Sequence, residues 1–169
     1  MSEDQDALWL RRAISLSANN IASGHGGPFG AVVVRDGRLI GEGANQVLKD
    51  HDPTAHAEVV AIRRACSAVA NDDLKGAVLY TSCEPCPMCL AAAYWAGISR
   101  IVWANSRQDA QDIGFGDALI YGEIGKAPHL RRITGTQILA EEGRAVFRTW
   151  KEKNPNTFYG PDVPGGDVG

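Results

Sequence analysis

Near the start of the chain, apolar residues recur every three or four positions, at Ala7, Leu10, Ile14, Ala18 and Ile21, with polar residues between them. That is the period of an α-helix with one buried face, and Gly24 is its natural end. After the loop GHGGPFG the pattern changes: FGAVVVRDGRLIGEGANQV reads as two strands joined at Asp36-Gly37, a dipeptide suited to a tight hairpin turn. DHDPT interrupts, and Ala55 to Val69 reads as a second helix. The apolar run from Ala77 to Thr81 predicts a short buried strand. Pro85 and Pro87 follow it, and because proline is tolerated in the first turn of a helix they mark the start of another. Arg100 to Ala104 predicts a further strand, after which a polar, glycine-containing segment runs through GFGDALIYGEI. A last strand is expected near Thr134 to Leu139, then a helix from Glu141 to about Lys153. NPNTFYGPDVPGGDVG, rich in proline and glycine, reads as an extended tail. Strands alternating with helices imply a sheet layered between helices, antiparallel at the hairpin and parallel where helices cross over. With no internal repeat, residues 1–154 read as one domain and 155–169 as its tail.

Composition narrows the partners. A chain of 169 residues can bury a core without disulfide staples, and 44% hydrophobic with 22% charged residues is an ordinary balance. The net charge of −3 offers no excess of Lys and Arg for a phosphate backbone, so a small molecule is expected rather than a nucleic acid. MSEDQDALWL is acidic where a signal peptide would be basic, and the longest apolar run, Cys89 to Ile98, is far short of a membrane span. A cytoplasmic protein with no membrane association is expected. There, clustered cysteines more often bind metal or do chemistry than form disulfides.

Three of the four cysteines, Cys83, Cys86 and Cys89, fall at intervals of three in TSCEPCPMCLAAAYW. Cys86 and Cys89 share one face of a helix's first turn, where the dipole favours thiolate, the form that binds metal. His56 opens the other central helix, two residues before Glu58. Two helix starts meeting at the ends of adjacent strands would gather His56, Cys86 and Cys89 as three zinc ligands and leave a fourth position for water. Zinc would acidify that water, and Glu58 would take its proton and pass it to a leaving group. HxE followed by PCxxC is the signature of zinc-dependent nucleobase deaminases, present here as HAE and PCPMC. The competing arrangement is a closed zinc knot, with Cys83 as fourth ligand and Glu58 merely solvated. A domain with this much core does not need a metal clip, and a knot gives no reason for a carboxylate beside the histidine. Cys83 and Cys66 are read as small buried residues, and His25, His51 and His129 as solvated side chains.

Through GGPFGAVVV, DPTAHAEVVAIRRAC, LYTSCEPCPMC, YWA and GFGDALIYGEI, from about Ala7 to Tyr159, the chain resembles the cytidine deaminase superfamily, and within it the small bacterial guanine deaminases. The resemblance implies a three-layer α/β/α fold with a mixed five-stranded sheet, one zinc per chain, and hydrolysis of guanine to xanthine and ammonia. It implies that Phe29 lies against the purine ring, Asn45 hydrogen-bonds its polar edge and Asp117 accepts from ring N–H groups, with Trp95 also in contact and Tyr159 as a lid. It further implies a homodimer in which the C-terminal segment crosses to the partner's pocket.

Two departures bear on the substrate: Gly116 stands where the family pattern often carries a second acid, and GPDVPGGDVG continues past the matched tyrosine. Guanosine or an aminotriazine therefore stays open as substrate. Cytosine or cytidine deamination and tRNA adenosine deamination are the enzymatic rivals, and the last would call for a basic surface. A phosphate-bearing substrate such as deoxycytidylate would need an Arg or Lys cluster. A non-catalytic zinc module is the rival from another class, and it has no use for Glu58.

Overall fold

The structure is a computed structural model that describes residues 3–157 and 160, and Tyr159 lies outside the described residues. The chain divides into two units, one ending at Asp117 and one beginning at Ala118.

In the first unit, helix α1 (Glu3–Ser23) leads to the hairpin β1 (Gly30–Arg35) and β2 (Arg38–Ala44). Asp36 and Gly37 both take positive φ, 52° and 72°, as the tight turn between the strands requires. A short helix α2 (Val47–Asp50) and helix α3 (Ala57–Val69) follow, then β3 (Val78–Cys83), α4 (Pro87–Trp95), β4 (Arg100–Asn105) and α5 (Arg107–Asp112). The sheet order is β2-β1-β3-β4, with β1 antiparallel to both β2 and β3, and β3 parallel to β4. The register of β1 and β2 slips between Val33 and Val34, so Ile40 is an extra residue on β2.

Alternation along the strands builds the layers. Val32, Val34, Val78 and Tyr80 face one side and pack with Trp9, Leu10 and Leu16 of α1. Ala31, Val33 and Leu79 face the other and pack with Ala57, Ala61, Ile62 and Ala65 of α3 and Ala93 of α4. This is the expected three-layer α/β/α arrangement. Helix α3 lies unusually close to β2: a Cβ built on Gly41 would come within 2.5 Å of the Ala61 carbonyl oxygen, and one on Gly43 within 2.6 Å of that of Ala57. Asp6 fastens α1 to the sheet edge by accepting from the Tyr80 hydroxyl at 2.7 Å and the Arg100 guanidinium at 2.9 Å.

Two expectations are corrected. The sheet has four strands among the described residues, not five, because Thr134 to Leu139 pairs with no strand and takes no ladder. A strand exists only where a neighbour completes its hydrogen bonds, and Ile138 and Leu139 within the segment, like Ile133 before it, are exposed rather than packed. The polar, glycine-containing segment after β4, for which no helix was expected, contains two, α5 in the first unit and α6 (Ala118–Ile124) in the second. The start of α5 is set by a capping box, in which Ser106 accepts from the Asp109 N–H and Asp109 accepts from the Ser106 N–H. The second unit continues with a 3₁₀ turn at Pro128–Leu130 and helix α7 (Ala140–Lys153), whose Phe147 is 77% exposed. Among the described residues no helix is long and apolar enough to cross a membrane.

Candidate active site

His56 and Cys86 occupy equivalent places: each is the N-cap of a helix, α3 and α4 respectively, with extended backbone angles and no side-chain capping bond. A residue there normally spends its side chain on the helix's first free N–H groups. Here both side chains turn instead toward a common point, which the positive ends of two helices also face. Pro87, at the first position of α4, fixes the start of that helix, and Cys89 lies three residues after Cys86.

The His56 Nδ1 is 3.5 Å from the sulfur of Cys86 and 3.5 Å from that of Cys89, and the two sulfurs are 3.6 Å apart. Ligands around a tetrahedral zinc, with Zn–S about 2.3 Å and Zn–N about 2.0–2.1 Å, stand roughly 3.6–3.8 Å from one another. The three atoms therefore form a face of the right size and chemistry for a zinc ion. Cys83 is outside the group; its thiol donates to the Ser106 carbonyl at 3.5 Å, and burial pushes it up to about 11.

Glu58, the second residue of α3, is buried beside these ligands. Its Oε1 accepts from the Thr81 hydroxyl at 3.1 Å and its Oε2 lies 3.5 Å from the Cys89 sulfur. Burial holds the Glu58 carboxyl above the usual carboxylate range. The hydrogen bond with Cys89, joined by that with His56, brings Cys86 down to about 4, so it is thiolate at neutral pH. The same hydrogen bond, now to Cys86, and burial push Cys89 upward, and the Cys86 contact raises His56.

Residues 3–105 match the family described as the cytidine and deoxycytidylate deaminase zinc-binding region. The chain belongs to that deaminase family.

Within the family it is similar to the guanine deaminase of Bacillus subtilis, 47% identical over 143 residues that make up 85% of this chain and 92% of the relative. The X-ray structure of guanine deaminase from Bacillus subtilis superposes with a TM-score of 0.87, at 43% identity, over 94% of this chain and 99% of that one. A tRNA-specific adenosine deaminase of Haemophilus influenzae is 35% identical over 88% of this chain and 84% of its own.

The loops after α1 and β2 carry two further candidate residues, Phe29 and Asn45. Asn20, buried at the end of α1, donates to the carbonyls of Gly27 and Asn45 at 2.8 and 2.9 Å and so ties those two loops together. Asn45 is itself buried, and its Oδ1 accepts from the Val47 N–H at 3.1 Å, so the amide's Nδ2 is its donor group. Phe29 packs against the core, and its ring meets Phe115 edge to face, centroids 5.0 Å apart. Asp117 is mostly buried and ion-paired with Arg107 at 3.0 Å. Trp95 ends α4, six residues or ~9 Å along the helix from Cys89, and is exposed. His25, His51 and His129 are exposed, as expected.

Sequence reading left out two residues that contact the candidate set, Thr81, which donates to Glu58, and Arg107, which pairs with Asp117. Thr81 had a signal: it shares strand parity with core-facing Leu79, and a hydroxyl placed there needs a partner, which Glu58 provides. Arg107 had none, because its partner lies ten residues on across a turn.

Proposed function

We propose that this deaminase hydrolyses guanine to xanthine and ammonia, with one zinc per chain held by His56, Cys86 and Cys89. The reading is carried by a buried Glu58 beside that three-ligand face, in a chain whose likeness to the Bacillus subtilis guanine deaminase covers most of both. When bound, zinc lowers the pKa of a water in its fourth position toward neutrality. Glu58 accepts a proton from the attacking water and delivers it to the departing nitrogen, so guanine and water become xanthine and ammonia. Thr81 anchors one carboxylate oxygen and leaves the other for the proton. Phe29 lies against the ring face, the Nδ2 of Asn45 donates to its polar edge, and Asp117 accepts from ring N–H groups. A carboxylate acceptor suits the donor edge of guanine better than cytosine, whose N3 is itself an acceptor. The net charge of −3 favours a free base over tRNA. The four cysteines, all free thiols, suit the cytoplasm.

Ammonia release from guanine, guanosine, cytosine, cytidine, adenine and adenosine tests the reading. Guanine should lead. Asp117→Ala should lower kcat/KM for guanine roughly 10- to 100-fold, since donors on the base would be left unpaired in a dry pocket. Efficient turnover of cytidine with none of guanine would refute the substrate.

The protein is further proposed to be a homodimer whose C-terminal segment crosses to the partner, Tyr159 closing the partner's pocket against water. Exposed Ile133, Phe147 and Trp150 in the second unit, and half-exposed Trp103 on the open edge strand β4, are apolar surfaces in need of cover. Light scattering should give twice the chain mass. Truncation after Lys153 should leave a folded, zinc-loaded protein with badly reduced turnover of guanine, while removal of residues 160–169 alone should be mild. Full activity in the longer truncation would make the segment a loose end.

A further inference from the structure

The geometry points to Arg107 as a positioning residue that orients the Asp117 carboxylate and thereby sets affinity for the base, an inference resting on the reading of Asp117 as the purine's acceptor. Arg107 is the first residue of α5, inside the capping box formed by Ser106 and Asp109. Its backbone N–H donates to Glu84 Oε2 at 3.3 Å, and the Glu84 N–H donates to the Asn105 carbonyl at 2.8 Å. The start of α5 is thus tied to the segment that also carries Cys86. From this fixed base the guanidinium reaches forward to Asp117, with Nε at 3.1 Å and Nη2 at 3.0 Å.

Both of these contacts land on Oδ1, so a donor on the base would be met by Oδ2. Arginine donates and never accepts, and it stays charged at any working pH, so it does not compete for the N–H groups of a purine. Between the two residues the chain turns at Gly114, with φ of 93°, and then presents Phe115 to Phe29. The acceptor is therefore pinned on one side by an aromatic contact and on the other by a forked donor. Gly116, between Phe115 and Asp117, adds no second carboxylate to share the work, so the orientation of one side chain decides how well the donor edge is met.

A double-mutant cycle on the zinc-loaded, full-length protein tests this, using Arg107→Met, Asp117→Asn and the pair. Arg107→Met should raise KM for guanine ~10-fold with kcat within about twofold, zinc content unchanged. Added to Asp117→Asn, it should cost less than about twofold more, because its route to the base is already gone. Arg107→Lys should recover part of the KM, an ammonium keeping the charge but not the fork; if Arg107→Met does not fold, Arg107→Lys takes its place in the cycle. Additive losses, a fall in kcat at unchanged KM, or an Asp117→Asn variant with wild-type KM would overturn the assignment. If the wild type turns over another base of the panel and not guanine, the substrate reading fails, and the same cycle run on that base still judges Arg107.

Discussion

Glu58→Gln is expected to fold and to bind zinc as the wild type does, yet to release ammonia from guanine at least ~100-fold more slowly. The substitution keeps the shape and the contact with Thr81, since an amide oxygen can accept from that hydroxyl as Oε1 now does at 3.1 Å. What it removes is the capacity to take a proton and give it back. Glu58 is buried, so bulk water has little access to replace it, and a buried carboxylate above its usual range is better matched to proton transfer near neutral pH. Zinc analysis, circular dichroism and an ammonia assay on the same sample separate fold from chemistry. Turnover like that of the wild type would remove Glu58 from the mechanism.

Cys86→Ser should lose its zinc and with it all measurable turnover, whereas Cys83→Ser should keep both. Cys86 lies 3.5 Å from His56 Nδ1 and 3.6 Å from Cys89, and its replacement by a hydroxyl removes one of three ligands from an already open site. The Cys83 thiol sits three residues away but is spent on the Ser106 carbonyl, and burial keeps it protonated. Emission spectrometry of the two purified variants decides between them. Equal loss of zinc in both would restore the closed knot with Cys83 as a ligand.

How much of this was legible depends on whether the signal was local. His56, Glu58, Cys86 and Cys89 were readable because the chemistry constrains residue types at fixed short spacings next to helix starts, and Pro87 marks one of those starts. The hairpin was readable at Asp36-Gly37 for a similar reason, since few dipeptides accept positive φ at both positions. Helix α5 was missed because its six residues, RQDAQD, show no apolar period, and what sets its start is a reciprocal side-chain cap. The supposed strand at Thr134 to Leu139 failed for the opposite reason: its composition suits a strand, but a strand is a property of two segments, and only one can be read from a stretch of sequence. The pairing of Arg107 with Asp117 belongs to the same class.

The closeness of α3 to β2 changes how variation in this protein should be interpreted. Ala57, whose carbonyl oxygen would meet a Cβ on Gly43 at 2.6 Å, stands between His56 and Glu58 in the chain. A methyl group on the hairpin is therefore a push on the helix turn that carries both a ligand and the proton carrier. In a random-mutagenesis library, the second hairpin strand would behave as part of the catalytic apparatus although it touches neither metal nor base, and sequence distance from HAE would be a poor ruler for functional damage.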